Sequence, residues 1–589
     1  MRNLMVKTAA MLALLMTITG ACKRLHNFEL ESPPEFPWRS VNEFEFAVVY
    51  PYSALLTSAW GGAIMMTDRV IFDAMSEHVW MLPGTQENYP QKENYYWRTT
   101  QVNDRADDCF KASYKAINNI NQALDFVYNK KNYVSEGQTH PFENLNAKDQ
   151  ANLNRQLGEL HFLRAYAYFH MIMRYCPKPG STGYASENLI PLRKEWSFDP
   201  EKMRTPELTN AKFIMDSIIR PDLHVARNLL PDKYLSTYHR SYQFGRATRM
   251  SALLLSTRVF FYLHAEAANL GFEPYDSALI FAEEIINNAS AAGHDLSEPP
   301  IKAFNRSSAT MAKEVLWDAA YYDRDKSGQK DATLITWNKY SAAYTTNIDT
   351  VQTAPKNISN RCSWHVYTMS MNTAKNIGWM DMADSTEFVG AHDITASAYD
   401  LRYDQLYLRV ESPNPNLPPE LMDTSKIIET KYTWIKRPNI WCHKYFRGAV
   451  GEYTNVPVMR LPEAYLTAAY IRYAKGDKAT AATYLNAVRN RAMPNSQNYF
   501  TAGNITAKAI HVERIKELCF EGDWLHYCVG LGIGKPDADG KNIYGQSGNV
   551  VWGAGDRKFE DGYDDITDPG DRRLYWTLPI DETQFHIQK

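Results

Sequence analysis

The sequence predicts a mostly α-helical fold: an array of packed helix pairs overlaid by one irregular, loop-rich lobe. Three observations carry this. Gly158–Cys176 reads as a helix that is apolar almost all round. Helix-period segments of similar size recur on both sides of it and return near the C-terminus. Between them, over 305–453, periodicity fails while Ser, Thr, Asn, Pro and Trp accumulate.

In the central stretch, Leu153, Leu157, Leu160, Ala167 and Met171 recur at steps of three, four or seven, which is one stripe of an α-helix. Tyr166, Phe169 and His170 occupy the other face, and Arg164 sits inside the stripe. A helix apolar on every side is packed on more than one side. Pro177 and Pro179 stop it.

Ahead of it, Phe46–Met66 holds a first helix, starting near Pro51 and ending near Gly61-Gly62. Ile71–Trp80 begins helically and loses its period, and Met81–Arg98 is a loop holding Tyr89, Tyr95, Tyr96 and Trp97. Asp107–Phe126 is a helix striped by Phe110, Tyr114, Ile117 and Leu124. Asn121 interrupts that stripe, and a buried Asn needs partners.

Beyond it, Ala211–Leu230 is helical in two pieces, divided at Pro221. Arg246–Asn269 repeats the stripe with Met250, Leu254, Thr257, Phe261 and His264, the last read as a core histidine rather than a ligand. Tyr275–Asn288, Arg460–Lys475, Lys478–Ala492 and Thr506–Cys519 follow. Such a succession of helix pairs is TPR-like, without a strict repeat consensus. Strand-like pieces appear inside the lobe, at Glu314–Tyr321 and Thr430–Lys436.

A net charge of -3 and the lack of a long Lys/Arg run argue against nucleic-acid binding. The seven cysteines lack CxxC spacing, so neither a zinc site nor a disulfide framework is indicated. Arg2 and Lys7, the apolar Ala9–Ile18 and Thr19-Gly20-Ala21-Cys22 form an export signal with a lipobox-like end. The expectation is cleavage before Cys22 and acylation of that cysteine, with Lys23–Glu45 as an extended, acidic tether. No later segment is long and apolar enough to span a bilayer, so the chain is anchored rather than spanning.

Catalytic signatures are missing: there is no GxSxG elbow, HExxH helix or papain-type cysteine. Glu513, Glu517 and Glu521 recur every four residues and read as a face of structural ion pairs, with Arg514 and Lys516 nearby. Gly530-Leu-Gly532-Ile-Gly534-Lys535 imitates a phosphate loop but follows a helix and runs into Pro536. The Asp pairs at Asp537-Ala-Asp539 and over Asp561–Asp571 lack EF-hand spacing and read as solvated turns. No metal and no cofactor is expected.

The aromatic loops are the remaining signal. A pyranose lays its C–H face on Trp or Tyr while Asn, Gln, Asp and Arg bond its hydroxyls. Each stack contributes about 1–2 kcal/mol by area, so several are needed. Trp80, Tyr96, Trp97, Trp337 and Trp364 lie in or beside polar stretches and are the candidate ligand-binding rings, whereas Trp317, Trp524 and Trp576 read as core.

GELHFLRAYAYFHMIMRYC resembles the signature helix of SusD/RagB outer-membrane lipoproteins. Gly245-Arg246-Ala247-Thr248 with Ser251–Leu263, Arg460-Leu461-Pro462-Glu463-Ala464-Tyr465-Leu466 and Glu513-Arg514 through Phe520-Glu521-Gly522 resemble further motifs of that family, in order. Leu578-Pro579-Ile580 resembles its closing LPIP, with Asp581 in place of Pro. The family's Arg-x-x-Asp-Leu run after the FEG glycine is replaced here by Asp523-Trp524-Leu525-His526-Tyr527-Cys528.

The resemblance implies a TPR-like scaffold with an irregular ligand-binding lobe. It implies a non-enzymatic, lipid-anchored cell-surface protein on the outer membrane, handing glycan to a SusC-like TonB-dependent transporter. Alternatives are an oligopeptide-uptake binder of the RagB kind and a surface glycosidase, which needs two carboxylates about 5–10 Å apart in a cleft. The expected division is a signal peptide over 1–21, a tether over 22–45 and one domain over 46–589. Within that domain the scaffold covers about 46–290 and 455–528, the lobe about 300–454 and the tail 529–589.

Overall fold

The computed structural model describes residues 36–56, 72–81, 95, 97, 104–199, 206–239, 242–304, 312–319, 367–380, 389–391, 393–410, 439–442, 444, 456–555 and 563–579. Its principal helices are α1 (Glu45–Leu56), α2 (Asp104–Tyr128), α3 (Ala147–Tyr175), α4 (Arg220–Leu229), α5 (Arg249–Leu263), α6 (Pro274–Ala292), α7 (Leu461–Ala474), α8 (Lys478–Ala492), α9 (Ala507–Leu518) and α10 (Trp524–Leu531). Each helix from α1 to α7 packs on the next, which makes a TPR-like array. The step from α6 to α7 crosses 168 residues of sequence without interrupting the array, so the lobe is an insertion between two neighbouring helices.

The central helix α3 is longer than its apolar stripe. Asn146 caps it, its Oδ1 accepting from Asp149 N at 2.9 Å, which starts the helix two turns before the stripe becomes continuous. Gly158 lets α4 approach: a Cβ there would lie 3.0 Å from Leu230 Cγ. The polar residues inside the stripes are partnered. Arg164 grips Asp222 through Nε and Nη2 at 2.7 and 2.8 Å and donates to Asn121 Oδ1 at 2.8 Å. Asn121 Nδ2 donates to the Arg193 carbonyl at 2.7 Å. His264 Nδ1 lies 2.7 Å from Glu273 Oε1, and the ring stacks on Tyr275 at 3.5 Å, so it is a structural histidine.

Two boundaries differ from expectation. α1 begins at Glu45, not near Pro51, and carries Pro51 inside; residues 57–71 lie outside the described residues. The run over Ala211–Ile214 continues into α4 through a π-helical turn, Met215–Ile219, so the division falls one residue before Arg220-Pro221. The wider turn removes the register in which Pro221, lacking an N–H, would clash.

Among the described residues there are four two-stranded antiparallel ladders, three involving the lobe or its margins and one, β2–β3, within the scaffold. β1 (Val79–Met81) pairs with β5 (Tyr367–Met369), β2 (Ile190–Pro191) with β3 (Leu208–Thr209), β4 (Val315–Ala319) with β8 (Val456–Arg460), and β6 (Tyr407–Val410) with β7 (Asn439–Cys442). β8 runs straight into α7, so the β4–β8 ladder roots the lobe in the array. Trp317 on β4 is fully buried against Phe162 and Tyr166 of α3, at 4.9 and 5.1 Å. Thr430–Lys436 lies outside the described residues.

The C-terminal segment closes the core. Trp576 packs edge-on against Tyr175 at 5.8 Å, and its backbone N–H donates to the Arg174 carbonyl at 2.6 Å. The glycine run after α10 is packing, not a phosphate cradle. A Cβ at Gly530 would overlap the ring and carbonyl of Phe261, and Gly534 at φ +84° abuts the Thr567 carbonyl. Asp537 turns the chain by accepting from Asp539 N and Lys541 N, both at 2.9 Å. It is buried rather than solvated, because α9 presents His511 to it at 3.4 Å. The five described cysteines, at 109, 176, 442, 519 and 528, are free and buried.

Candidate ligand-binding site

Trp80 stands at the centre of β1, opposite Thr368 of β5, and is partly buried. The stretch leading to it is fixed to the far end of the chain. Gly522 N donates to Asp73 Oδ2 at 2.8 Å, and Trp524 Nε1 donates to Glu77 Oε1 at 3.1 Å. The Glu77 carbonyl accepts from Ser370 Oγ at 2.6 Å and Thr373 Oγ1 at 3.2 Å. The His78 ring lies 4.4 Å from the Trp524 ring, with Nδ1 3.1 Å from Thr373 Oγ1. Burial pushes its pKa down to about 3, so the imidazole is neutral near neutral pH. Burial likewise raises the Asp73 carboxyl well above the carboxylate range, opposed by the Gly522 N–H. Gly555, at φ +56°, admits the Glu77 backbone at a distance no Cβ would allow. Thr368 Oγ1 then donates to the Ile440 carbonyl at 2.8 Å, joining β5 to β7. Trp80 is thus carried on a backbone fixed from beneath, as a preorganised binding residue requires.

A buried charge network fastens the lobe to the array. The three glutamates spaced by four on and after α9 face it. Arg402 Nη1 meets Glu513 Oε1 at 2.7 Å and Glu517 Oε2 at 3.3 Å. Arg460 Nη1 meets Glu517 Oε1 at 2.7 Å, and its Nη2 meets Glu521 Oε1 at 2.6 Å. Lys444 Nζ also reaches Glu521 Oε1, at 2.7 Å, and Arg491 pairs with both Glu314 and Glu517. Burial acts to raise the pKa of Glu517 and Glu521, but the cations around them overcome it and hold both below the usual range. The ion-pair face expected from the spacing is therefore present, with different partners. Arg514 instead grips Asp523 through two bonds of 2.6 Å, and Lys516 turns to Asp400 at 3.5 Å.

Among the described residues, one cluster has the composition of a cation site: Glu463, Asp523 and His526, all buried. Its charge is already met. Arg258 binds Glu463 through Nε and Nη2 at 2.5 and 2.6 Å, and Arg514 holds Asp523. Two carboxylates each clamped by a guanidinium serve neither a metal nor a general acid.

The five aromatic candidates separate. Trp80 keeps part of its ring in solvent. Trp97, expected to be exposed, is 6% exposed: its Nε1 donates to the Met75 carbonyl at 2.8 Å and its ring meets Tyr563 at 6.1 Å. Buried in this way and bonded to Met75, it supports the Trp80 segment and offers no face to a sugar. Its polar neighbours in sequence mislead because an indole N–H satisfied by a backbone carbonyl makes burial inexpensive. Tyr96, Trp337, Trp364 and the anchor candidate Cys22 lie outside the described residues. Trp317, Trp524 and Trp576 are core, as their surroundings in sequence indicate. The His78–Glu77–Trp524 platform was not foreseeable by motif, since its members lie some 447 residues apart.

Array, insertion and platform together define a helical-array protein whose lobe is rooted between two consecutive helices. The chain belongs to the SusD/RagB family: the SusD family profile matches residues 317–525, and a related profile described as "Starch-binding associating with outer membrane" matches 57–261. No curated protein matches it. Among solved structures, it is similar to a SusD superfamily protein from Bacteroides thetaiotaomicron VPI-5482, at 16% identity and TM-score 0.63, covering 92% of this chain and 98% of that one. A SusD superfamily protein from Bacteroides vulgatus ATCC 8482 is similar at 17% identity and TM-score 0.61, covering 94% and 98%. A SusD-like carbohydrate binding protein from the same strain is similar at 14% and 0.60, covering 93% and 96%. At these identities the likeness is one of fold.

Proposed function

We propose that the protein is a cell-surface glycan-binding lipoprotein, anchored through Cys22, that captures oligosaccharide and passes it to a SusC-like TonB-dependent outer-membrane transporter. It acts by binding, not catalysis. The observation that carries the reading is Trp80: an aromatic ring with solvent access on a backbone fixed by the Glu77–Trp524 and Asp73–Gly522 bonds. Tyr96, Trp337 and Trp364 complete the ligand-binding set in this reading. Family membership, a profile whose description names starch binding and the outer membrane, and a relative described as carbohydrate binding support it. Among the described residues no helix is long and apolar enough to cross a membrane, in keeping with attachment by acyl chains.

The test is affinity gel electrophoresis over a polysaccharide panel with wild type and Trp80→Ala. Retardation by at least one glycan, lost in the variant, supports the proposal. Retardation by none, with binding to peptides, transfers the protein to oligopeptide uptake, and reducing-sugar release would make it a glycosidase.

A further inference from the structure

A second concave surface lies at the opposite end of α3. The first turns of α3 (Lys148, Asn152, Arg155) and the connection leaving α4 (Lys233, Tyr234, Tyr238) enclose an open groove of about 640 Å³. That size is within the roughly 300–1,000 Å³ of small-ligand sites. The segment leading to Trp80 begins at Phe72, whose ring sits 5.3 Å from the Arg174 guanidinium at the C-terminal end of α3. At ~1.5 Å per residue, Arg155 and Arg174 are about 28 Å apart along the helix. The groove is therefore separate from the Trp80 surface.

Its walls are rigid and chemically mixed. Tyr234, Tyr238 and Tyr242 form a ring cluster, Tyr238 lying 5.8 Å from Tyr234 and 5.1 Å from Tyr242. The Arg155 and Arg246 guanidiniums lie over Tyr242 at 5.6 and 4.8 Å. Arg155 is itself held by Asn152 Oδ1, at 3.0 Å from Nε, and by Glu45 and Glu159. Tyr238 keeps 37% of its surface exposed. Lys148 and Lys233 are both exposed and have no ion pair among the described residues, and Lys233 Nζ donates to the Ala291 carbonyl at 3.0 Å. Asp149, the carboxylate in the lining, accepts from Asn146 Nδ2 at 2.8 Å.

We infer that this groove is a second saccharide site, taking a short glycan that bears carboxylate or sulfate groups. An exposed phenol ring suits a pyranose face, the Asn152 amide suits hydroxyls, and the two ammonium groups suit anions. A neutral sugar would leave the Lys148 charge uncompensated and Lys233 with only the Ala291 carbonyl. The inference borrows the ligand's class from the glycan-capture reading, but not its location.

The test is calorimetric titration of the full-length protein with trigalacturonate, a sulfated chondroitin disaccharide and a neutral galactotriose. Binding of one anionic saccharide is expected, weakening as ionic strength rises. Tyr238→Ala and the double variant Lys148→Ala/Lys233→Ala are expected to lower that affinity at least ~tenfold, while Trp80→Ala leaves it unchanged. Tyr238, Lys148 and Lys233 are exposed, so an unchanged melting curve certifies folding of those variants. Anionic binding that survives the lysine variant, or that vanishes in Trp80→Ala, overturns the inference and leaves glycan capture intact. So does an absence of anionic binding beside Trp80-dependent retention of neutral glycan. If no saccharide of any charge binds, both readings fall.

Discussion

Arg402, a residue of the inserted lobe, is fully buried with its guanidinium between Asp400 and Glu513, 2.9 and 2.7 Å away. The lobe is thus fastened to the array by charge as well as by the β4–β8 ladder. Removing one member of a buried ion cluster leaves its partners uncompensated, which costs about 3–5 kcal/mol. Arg402→Met is expected to lower the urea midpoint by that scale. Arg402→Lys, which keeps the charge but loses the fork, is expected to lower it less. Equal midpoints for Met variant and wild type would refute the fastening.

Acidification tests the platform beneath Trp80. His78 is a base whose folded pKa, about 3, lies below its unfolded value of about 6.5. Below ~6.5 the unfolded chain takes up a proton that the native state refuses, so stability is full above that pH and falls as pH drops toward 3. The slope from this residue is up to ~1.4 kcal/mol per pH unit. Buried carboxylates with depressed pKa, Asp400 and Glu521 among them, add their loss below about pH 4. Urea midpoints between about pH 7 and 4.5 are expected to fall in the wild type and to fall less in His78→Gln.

Gly530→Ala is expected to destabilise despite improved helix propensity. The added methyl group would enter the Phe261 ring, which is stacked at 5.2 Å on Tyr527 and 5.0 Å on Tyr275. Overpacking of this kind costs about 1–3 kcal/mol. A thermal melt equal to the wild type's would show that α5 and α10 can part.

Trp80→Ala and Trp97→Ala are expected to fail in different ways. The first removes a partly exposed ring and is expected to abolish glycan retardation with little change in melting temperature. The second empties a buried site and breaks the bond to Met75, a loss of about 3–5 kcal/mol.

The array was legible because packing one helix on the next imposes a 3.6-residue period that survives in the sequence of α3, α5 and α7. The spacing of Glu513, Glu517 and Glu521 also announced a common face. Its partners Arg402 and Lys444 did not, since they reach α9 only through the lobe's tertiary placement. Burial of Trp97 escaped for the same reason. Residues that are polar in sequence can still surround a buried ring when the Met75 carbonyl receives its N–H and Tyr563, distant in sequence, meets it edge-on.

Trp576 seals the end of α3 from 401 residues beyond Tyr175 in sequence. Contacts of such long sequence separation form late and slowly. Removing that indole would uncover one side of Tyr175, leaving Phe110 as a ring partner 5.7 Å away.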